Sequence, residues 1–269
     1  MRRRDAEGAA QFWRDPAMPY AESRRACRSR ACYRPHTHPT FSIGAVDEGT
    51  SVFRGLGGGP VLLHPGTVIF VPAGRVHACN PLPGAAWSYQ MLHLDAAWLR
   101  AVRGEGGRLA AAEPVRIVRD PAVYARFGEL NALLFSRAAP ADKAAALIAF
   151  VKDGSAAPAQ PIDAPAAPSR QLEAALAFLR QAPDAEASLE DLARLAGMSR
   201  YALIRAFRAA TGLTPHAWRL NQRVNAAREH IRAGERLADV AHRLGFADQA
   251  HMQRVFKAHA GVTPGGYRG

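Results

Sequence analysis

The sequence predicts an α+β chain of two domains. An antiparallel β-barrel of jelly-roll type, followed by helices, precedes an all-α domain with two helix-turn-helix units. Three observations carry that expectation. Short runs punctuated by Gly and Pro fill the N-terminal part, one stretch near the C-terminus occurs twice, and an Ala/Pro-rich segment lies between the two textures.

In chain order, residues 1–18 read as an irregular polar arm, because MRRRDAEGAAQFWRD carries charge without the apolar run of a signal peptide. Residues 19–119 read as the barrel domain. SRRACRSRACY, FSIGAVDEGTSVFRGL, PVLLHPGTVIFVPAGRVHAC and AAWSYQMLHL are short strands joined by turns, a spacing that suits an antiparallel barrel. His36 and His38 lie two apart, so an extended strand points both to one side, and His77 sits in a second strand-like run. Three imidazoles can bind zinc or iron with a position left open. They can equally hydrogen-bond to backbone or line a pocket as neutral polar groups. A barrel mouth with apolar walls and a few orienting polar groups suits a small molecule. The candidates for that pocket are His36, His38, Phe41, His77 and Tyr89, and Phe41 could as well be core packing.

Residues 120–153 read as a helical extension. Val123, Phe127, Leu130, Leu133 and Leu134 make one apolar stripe, and Ala146, Leu147, Phe150 and Val151 make another. Packing on the barrel and pairing between two copies of the chain both explain these stripes. Residues 154–168, with GSAAPAQPIDAPAAP, form the linker. Residues 169–269 form the second domain, opened by a helix with Leu172, Ala175, Leu176 and Leu179 on its inner face.

The repeat within that domain reads DLARLAGMSRYALIRAFRAATGLTPHAWR from Asp191 and DVAHRLGFADQAHMQRVFKAHAGVTPGGYR from Asp239. Arg205, Phe207, Gly212, Thr214, Pro215 and Arg219 recur as Arg254, Phe256, Gly261, Thr263, Pro264 and Arg268. Each copy is a short helix ending at glycine (Gly197, Gly245), a cap (Ser199, Asp248) and a second helix stopped by Gly and Thr-Pro. That is a helix-turn-helix unit, over 188–212 and again over 237–261. On the second helix of the first unit, Leu203, Ala206 and Phe207 form the inner stripe, and Tyr201, Arg205 and Arg208 lie opposite with Ile204 beside them. In the second unit Ala250, Arg254 and Lys257 face outward, flanked by Gln249 and Gln253. Arg pairs bidentately with guanine and Gln with adenine in the major groove, so the two faces are candidate base readers.

These motifs, with the connecting segment RVNAAREHIRAG, resemble the C-terminal half of the AraC/XylS family of transcription regulators. The resemblance implies that both units sit on a long shared helix, here Pro215 to Arg232, and that their recognition helices enter adjacent major-groove segments. Carried over by position, it makes Tyr201, Ile204 and Arg205, with Gln249, Ala250, Gln253 and Arg254, the base-reading set. Ala250 departs in chemistry, since a methyl offers no hydrogen bond. The histidine segments resemble the two motifs of the cupin superfamily, in the form that serves AraC-type regulators as a sensor. Gly66, Pro72, Gly74 and His77 fit the second motif, whereas Ser42 and Ile43 stand where the first calls for a metal-binding glutamate.

Thirty-five Lys and Arg against 23 Asp and Glu give a net charge of +12, which favours a polyanionic partner. Residues 170–269 hold 15 basic and 9 acidic residues, and residues 1–169 hold 20 and 14, so charge alone does not locate the nucleic-acid interface. Three cysteines without a C-x-x-C pattern read as free thiols of a reducing cytosol. The expected protein is a cytoplasmic, non-enzymatic transcription regulator without a cofactor or a membrane partner. Its partners are double-stranded promoter DNA, a small-molecule effector, a second copy of the chain and, for an activator, RNA polymerase. The competing expectation is a cupin-type metalloenzyme or a metal sensor using His36, His38 and His77.

Overall fold

Alternating side chains on one large sheet organise the N-terminal half of the computed structural model, which describes residues 10–56, 58–104, 113–154, 157–163, 167–181 and 187–268. The chain divides into two units. The first comprises Met1–Cys32, His38–Arg75 and Cys79–Ala164; the second comprises Tyr33–Thr37, Val76–Ala78 and Pro165–Gly269.

The strands are β1 (Ala10–Arg14), β2 (Ala21–Ser29), β3 (Phe41–Glu48), β4 (Ser51–Gly55), β5 (Val61–Leu63), β6 (Val68–Val71), β7 (His77–Pro81), β8 (Trp87–Leu94), β9 (Val115–Val118) and β10 (Gln160–Ile162). The large sheet runs β1-β2-β8-β3-β6-β9-β10, and the small sheet runs β5-β4-β7. Antiparallel register sets Leu94 opposite Phe41 and Leu92 opposite Ile43, so these four side chains share one face. That face is covered by α1 (Ala96–Arg103), α2 (Pro121–Leu134) and α3 (Pro140–Gly154). Leu99, Val123, Phe127, Leu130, Leu147 and Phe150 complete its core. The stripes expected on 121–137 and 140–152 are therefore buried within the unit. The other face carries Tyr89, Met91 and His93, whose partners across β3 are Val46, Gly44 and Ser42.

Two differences from the sequence expectation concern sheet edges. Part of the arm expected over 1–18 is strand β1, and part of the linker expected over 154–168 is strand β10, paired with β9. Both gain order by completing hydrogen bonds of an existing edge, which local composition does not encode. Residues 1–9, 155–156 and 164–166 lie outside the described residues.

Unit 2 contains α4 (Arg170–Gln181), α5 (Leu189–Leu195), α6 (Arg200–Thr211), α7 (Pro215–Arg232), α8 (Leu237–Arg243), α9 (Gln249–Ala260) and α10 (Pro264–Arg268). The glycines after α5 and α8 (Gly197 φ +61°, Gly245 φ +67°) and after α6 and α9 (Gly212 φ +80°, Gly261 φ +72°) are left-handed, the conformation that glycine adopts without strain. Leu172, Leu176, Leu192, Leu203, Phe207 and Trp218 form the core of the first helix-turn-helix. Val240, Met252, Val255 and Phe256 are buried in the second, with Phe256 edge-on to Tyr267 at 5.4 Å. Helix α7 packs against α6, α8, α9 and α10 and so carries both units. Among the described residues no helix is long and apolar enough to cross a membrane.

Candidate nucleic-acid interface and ligand-binding residues

Each candidate reading helix begins with a side-chain cap. Ser199 accepts the Ala202 N–H at 3.2 Å to start α6, and Asp248 accepts the His251 N–H at 2.5 Å to start α9. The caps fix where each helix begins, and burial of Leu203 and Phe207, or of Met252 and Phe256, fixes its rotation. What remains outward is the set nominated from sequence. Tyr201 is 79% exposed, and Arg205, Arg208, Gln249, Ala250, Arg254 and Lys257 are exposed too. Ile204 and Gln253 are half-buried beside them.

The use made of the arginines separates the faces from the scaffold. Among the described residues, the side chains of Arg205, Arg208, Arg254 and Lys257 make no hydrogen bond or ion pair within the chain. Arg219 instead donates to the Ala187 carbonyl at 2.7 Å, and its repeat counterpart Arg268 donates to the Glu235 carbonyl. Arg223 donates to the Gly245 carbonyl at 2.6 Å. These three tie loops to helices, so the repeated Arg219/Arg268 pair is architectural. The repeated Arg205/Arg254 pair has no such tie among the described residues.

Within unit 2 the backbone of His36 pairs with that of His77, with two N–H to carbonyl bonds at 3.0 Å, and their rings lie 4.8 Å apart. His36 Nδ1 is 2.8 Å from the Arg34 carbonyl. Burial, then the neighbouring His77 and Arg228, hold the His36 imidazole well below its ordinary value, so it is neutral at pH 7. In unit 1 the ring of His38 meets Ser42 Oγ at 3.2 Å, and Ser42 Oγ meets His93 Nδ1 at 2.8 Å. Ser42, at the position where the resemblance calls for a carboxylate, thus serves as a hydrogen-bond partner of His38.

The other two ligand candidates are placed apart. Phe41 is in the helix-facing core, with the Arg103 guanidinium 4.8 Å from its ring centre. Tyr89, on the opposite face of the sheet, stacks on Trp87 at 4.2 Å and has the Arg24 guanidinium 5.5 Å from its ring centre.

Sequence reasoning missed two features. Asn221, 1% exposed on α7, accepts from the Thr37 N–H and donates to the Thr37 carbonyl, each at 3.1 Å. An Asn in an apolar helix stripe is the signal that could have found it. Unit 1 also holds a cleft of about 350 Å³ between the large sheet and α2, whose walls include Asp47, Glu48, Gln90 and Asn131. The adjacent acids at the end of β3 were the only local sign of it.

Residues 19–151 match the family described as AraC-like ligand binding domain, and residues 192–269 match a helix-turn-helix domain family. The chain is similar to the uncharacterized HTH-type transcriptional regulator YbfI of Bacillus subtilis (strain 168), at 37% identity over 75 residues, 28% of this chain and 27% of that one. It is similar to the transcriptional activator NphR of Rhodococcus sp, at 38% identity over 86 residues, 32% of this chain and 25% of the relative. The match thus spans about a quarter of the length of these curated relatives. In fold it is similar to ToxT from Vibrio cholerae O395, with a TM-score of 0.55 at 12% identity, covering 97% of both chains.

Proposed function

Because the chain belongs to the AraC family of transcription regulators, we propose that it binds promoter DNA sequence-specifically under the control of a small-molecule effector taken up by its N-terminal unit. The observation that carries this reading is the pair of equivalent helix faces on α6 and α9, whose Arg205 and Arg254 are exposed and without an intrachain partner among the described residues. In the major groove Arg205 and Arg254 suit guanine, Gln249 and Gln253 suit adenine, and the Ala250 methyl suits a thymine methyl. Tyr201 and Ile204 offer apolar contact, while Arg208 and Lys257, one turn further along their helices, suit phosphates. Effector contacts in unit 1 are ascribed to Tyr89 and His38, which meet the sheet face away from the helices, and not to Phe41, which lies in the helix-facing core. The protein acts as a cytoplasmic homodimer that engages RNA polymerase and has no enzymatic activity of its own.

Selection from random DNA with the full chain tests the reading. Enriched sequences should carry two short elements about one helical turn apart. Uniform, purely salt-sensitive binding would remove the base-reading claim.

A second reading, a metal sensor, is favoured by His36 and His77, both buried in unit 2 with ring centres 4.8 Å apart. It requires that zinc or iron(II) change operator affinity in the full chain and that His77→Ala abolish the change. Metal-independent operator binding removes it.

A further inference from the structure

We propose that the cleft between the large sheet and α2 is a binding site for a small organic cation, one that carries an ammonium or guanidinium group beside an oxygen acceptor. The inference rests on the reading that the N-terminal unit takes a ligand, and it names the ligand's chemistry and a place distinct from the histidine segments.

The first observation is a buried amide with half of its hydrogen bonding unmet. Asn131 on α2 is 2% exposed and lines the cleft. Ser23 Oγ, which also lies 3.2 Å from the Met91 carbonyl, meets Asn131 Oδ1, while Nδ2 is buried and has no partner among the described residues. Ser23 meets one end of the carboxamide only, and the other end is unmet in the cleft wall. Buried amide groups are nearly always satisfied, and an orphan that lines a cavity points to an occupant.

The second observation is uncompensated negative charge. Asp47 Oδ1 accepts from Gln90 Nε2 and from the Tyr124 hydroxyl, each at 2.8 Å. Glu48 Oε2 accepts from Ser88 Oγ at 3.2 Å. Among the described residues neither carboxylate has a cationic partner. The cation of the cleft wall, Arg25, is engaged by neutral groups: its Nε donates to Gln11 Oε1 at 2.7 Å, and its guanidinium lies 4.2 Å from the Phe135 ring centre. Gln90 and Tyr124 hold Asp47 through one oxygen and leave Oδ2 for a donor. Burial raises the Asp47 carboxyl above its ordinary value, and a bound cation would reverse that cost.

The third is a glycine in the middle of α2. Gly128 lines the cleft, and a Cβ built there meets nothing within 4 Å. Glycine is a poor helix former, and no neighbour excludes a side chain at this position. Its effect is to keep the cleft wide. The volume of about 350 Å³ fits a molecule at the small end of the ligand range. In this arrangement Asp47 Oδ2 and Glu48 take the N–H groups of the cation, and Asn131 Nδ2 donates to the adjoining oxygen.

The test is thermal stability and calorimetric titration of the full chain with ethanolamine and L-argininamide, against glycolate and ethylene glycol as anionic and neutral controls. At least one cationic probe should raise Tm and bind, and Asp47→Asn and Gly128→Leu should each weaken that binding at least tenfold. Exposed Glu129→Gln, on the same helix, should bind as the parent does. Gly128→Leu fills open space without removing a contact, so it keeps the test meaningful if Asp47→Asn folds poorly. Cationic probes that bind no better than glycolate, or binding that survives Gly128→Leu, overturn the site. Operator affinity is then measured with and without the bound probe. Unchanged affinity leaves the site standing and removes its role as the effector pocket.

Discussion

The two helix-turn-helix units share a scaffold and differ in how their first helices are anchored and in what their second helices present. Helix α5 begins in a capping box, with Ser188 and Asp191 satisfying each other's backbone N–H groups. Helix α8 begins at Arg236 with no side-chain cap. The second unit is tied instead by Glu235, which meets Arg243 at 3.2 Å and His230 Nδ1 at 2.7 Å, and by Arg268 and Arg223 on backbone carbonyls. The faces differ too: α6 offers Tyr201 and Ile204 beside its arginines, and α9 offers Gln249, Ala250 and Gln253. Apart from the Arg205/Arg254 pair, the positions that recur preserve geometry. Positions that do not recur distinguish what each unit can read.

The largest expected effect probes the shared part. Phe207 and Phe256 occupy equivalent places and are both fully buried. Truncating either to Ala should cost about 3–5 kcal/mol in urea unfolding, because a ring-sized cavity opens in a small core. Near-equal losses would uphold the equivalence of the two scaffolds. A large loss at one and a small loss at the other would break it.

Next in size are the reading faces. Arg205→Ala and Arg254→Ala should each weaken operator binding by about 1–3 kcal/mol and relax preference at a different base pair. Tm should stay put, since neither side chain has an intrachain partner among the described residues. Sequencing of selected sites reads both outcomes. An equal loss on all sequences would assign that arginine to a phosphate.

The same contrast explains what could be read from sequence. Helix α7 was expected over Pro215 to Arg232 and is found there, because its start is set by the Thr214 cap and Pro215, both local signals. The outward faces of α6 and α9 follow from one helical period applied to a repeat. Strands β1 and β10 have no such signal, being defined by partners across the sheet. Phe41 and Tyr89 look alike in sequence as aromatics in strands, yet register sends one toward the helices and the other away. Asn131 reads as an ordinary polar residue in an amphipathic helix until Ser23, 108 residues earlier, is brought to it. Scaffolds made of local signals were legible, and the cleft, assembled from several strands and α2, was not.

A smaller effect tests the anchoring difference. Ser188→Ala removes the hydroxyl half of the capping box, leaving the backbone N–H to Asp191, and should cost about 1 kcal/mol. Arg236→Ala should change stability little, because no cap bond is lost. Arg236→Ser should gain a few tenths to about 1 kcal/mol if a cap alone is what α8 lacks. Equal responses of Ser188 and Arg236 to Ala in thermal unfolding would erase the distinction.

The smallest effect lies at acid pH, where each unit depends on one exposed carboxylate. Hydrogen bonds from Ser188, through its side chain and then its backbone, hold Asp191 below its ordinary value. A hydrogen bond with His230, and then the charge of Arg243, do the same for Glu235. A carboxylate depressed in the folded state adds stability above its unfolded value, and that stability drains away as pH falls through the folded value. Tm should therefore decline below about pH 5, and Asp191→Asn and Glu235→Gln should each flatten part of that decline. Because both groups are exposed, the contributions are small and shrink with added salt. The salt response separates the two units: at Asp191 the charge of Arg194, 3.1 Å away, contributes less than either Ser188 hydrogen bond, whereas at Glu235 the Arg243 charge comes directly after the His230 hydrogen bond among the lowering causes. Glu235→Gln should thus lose more of its effect in high salt than Asp191→Asn, and the reverse order would mean that charge, not capping geometry, anchors α5.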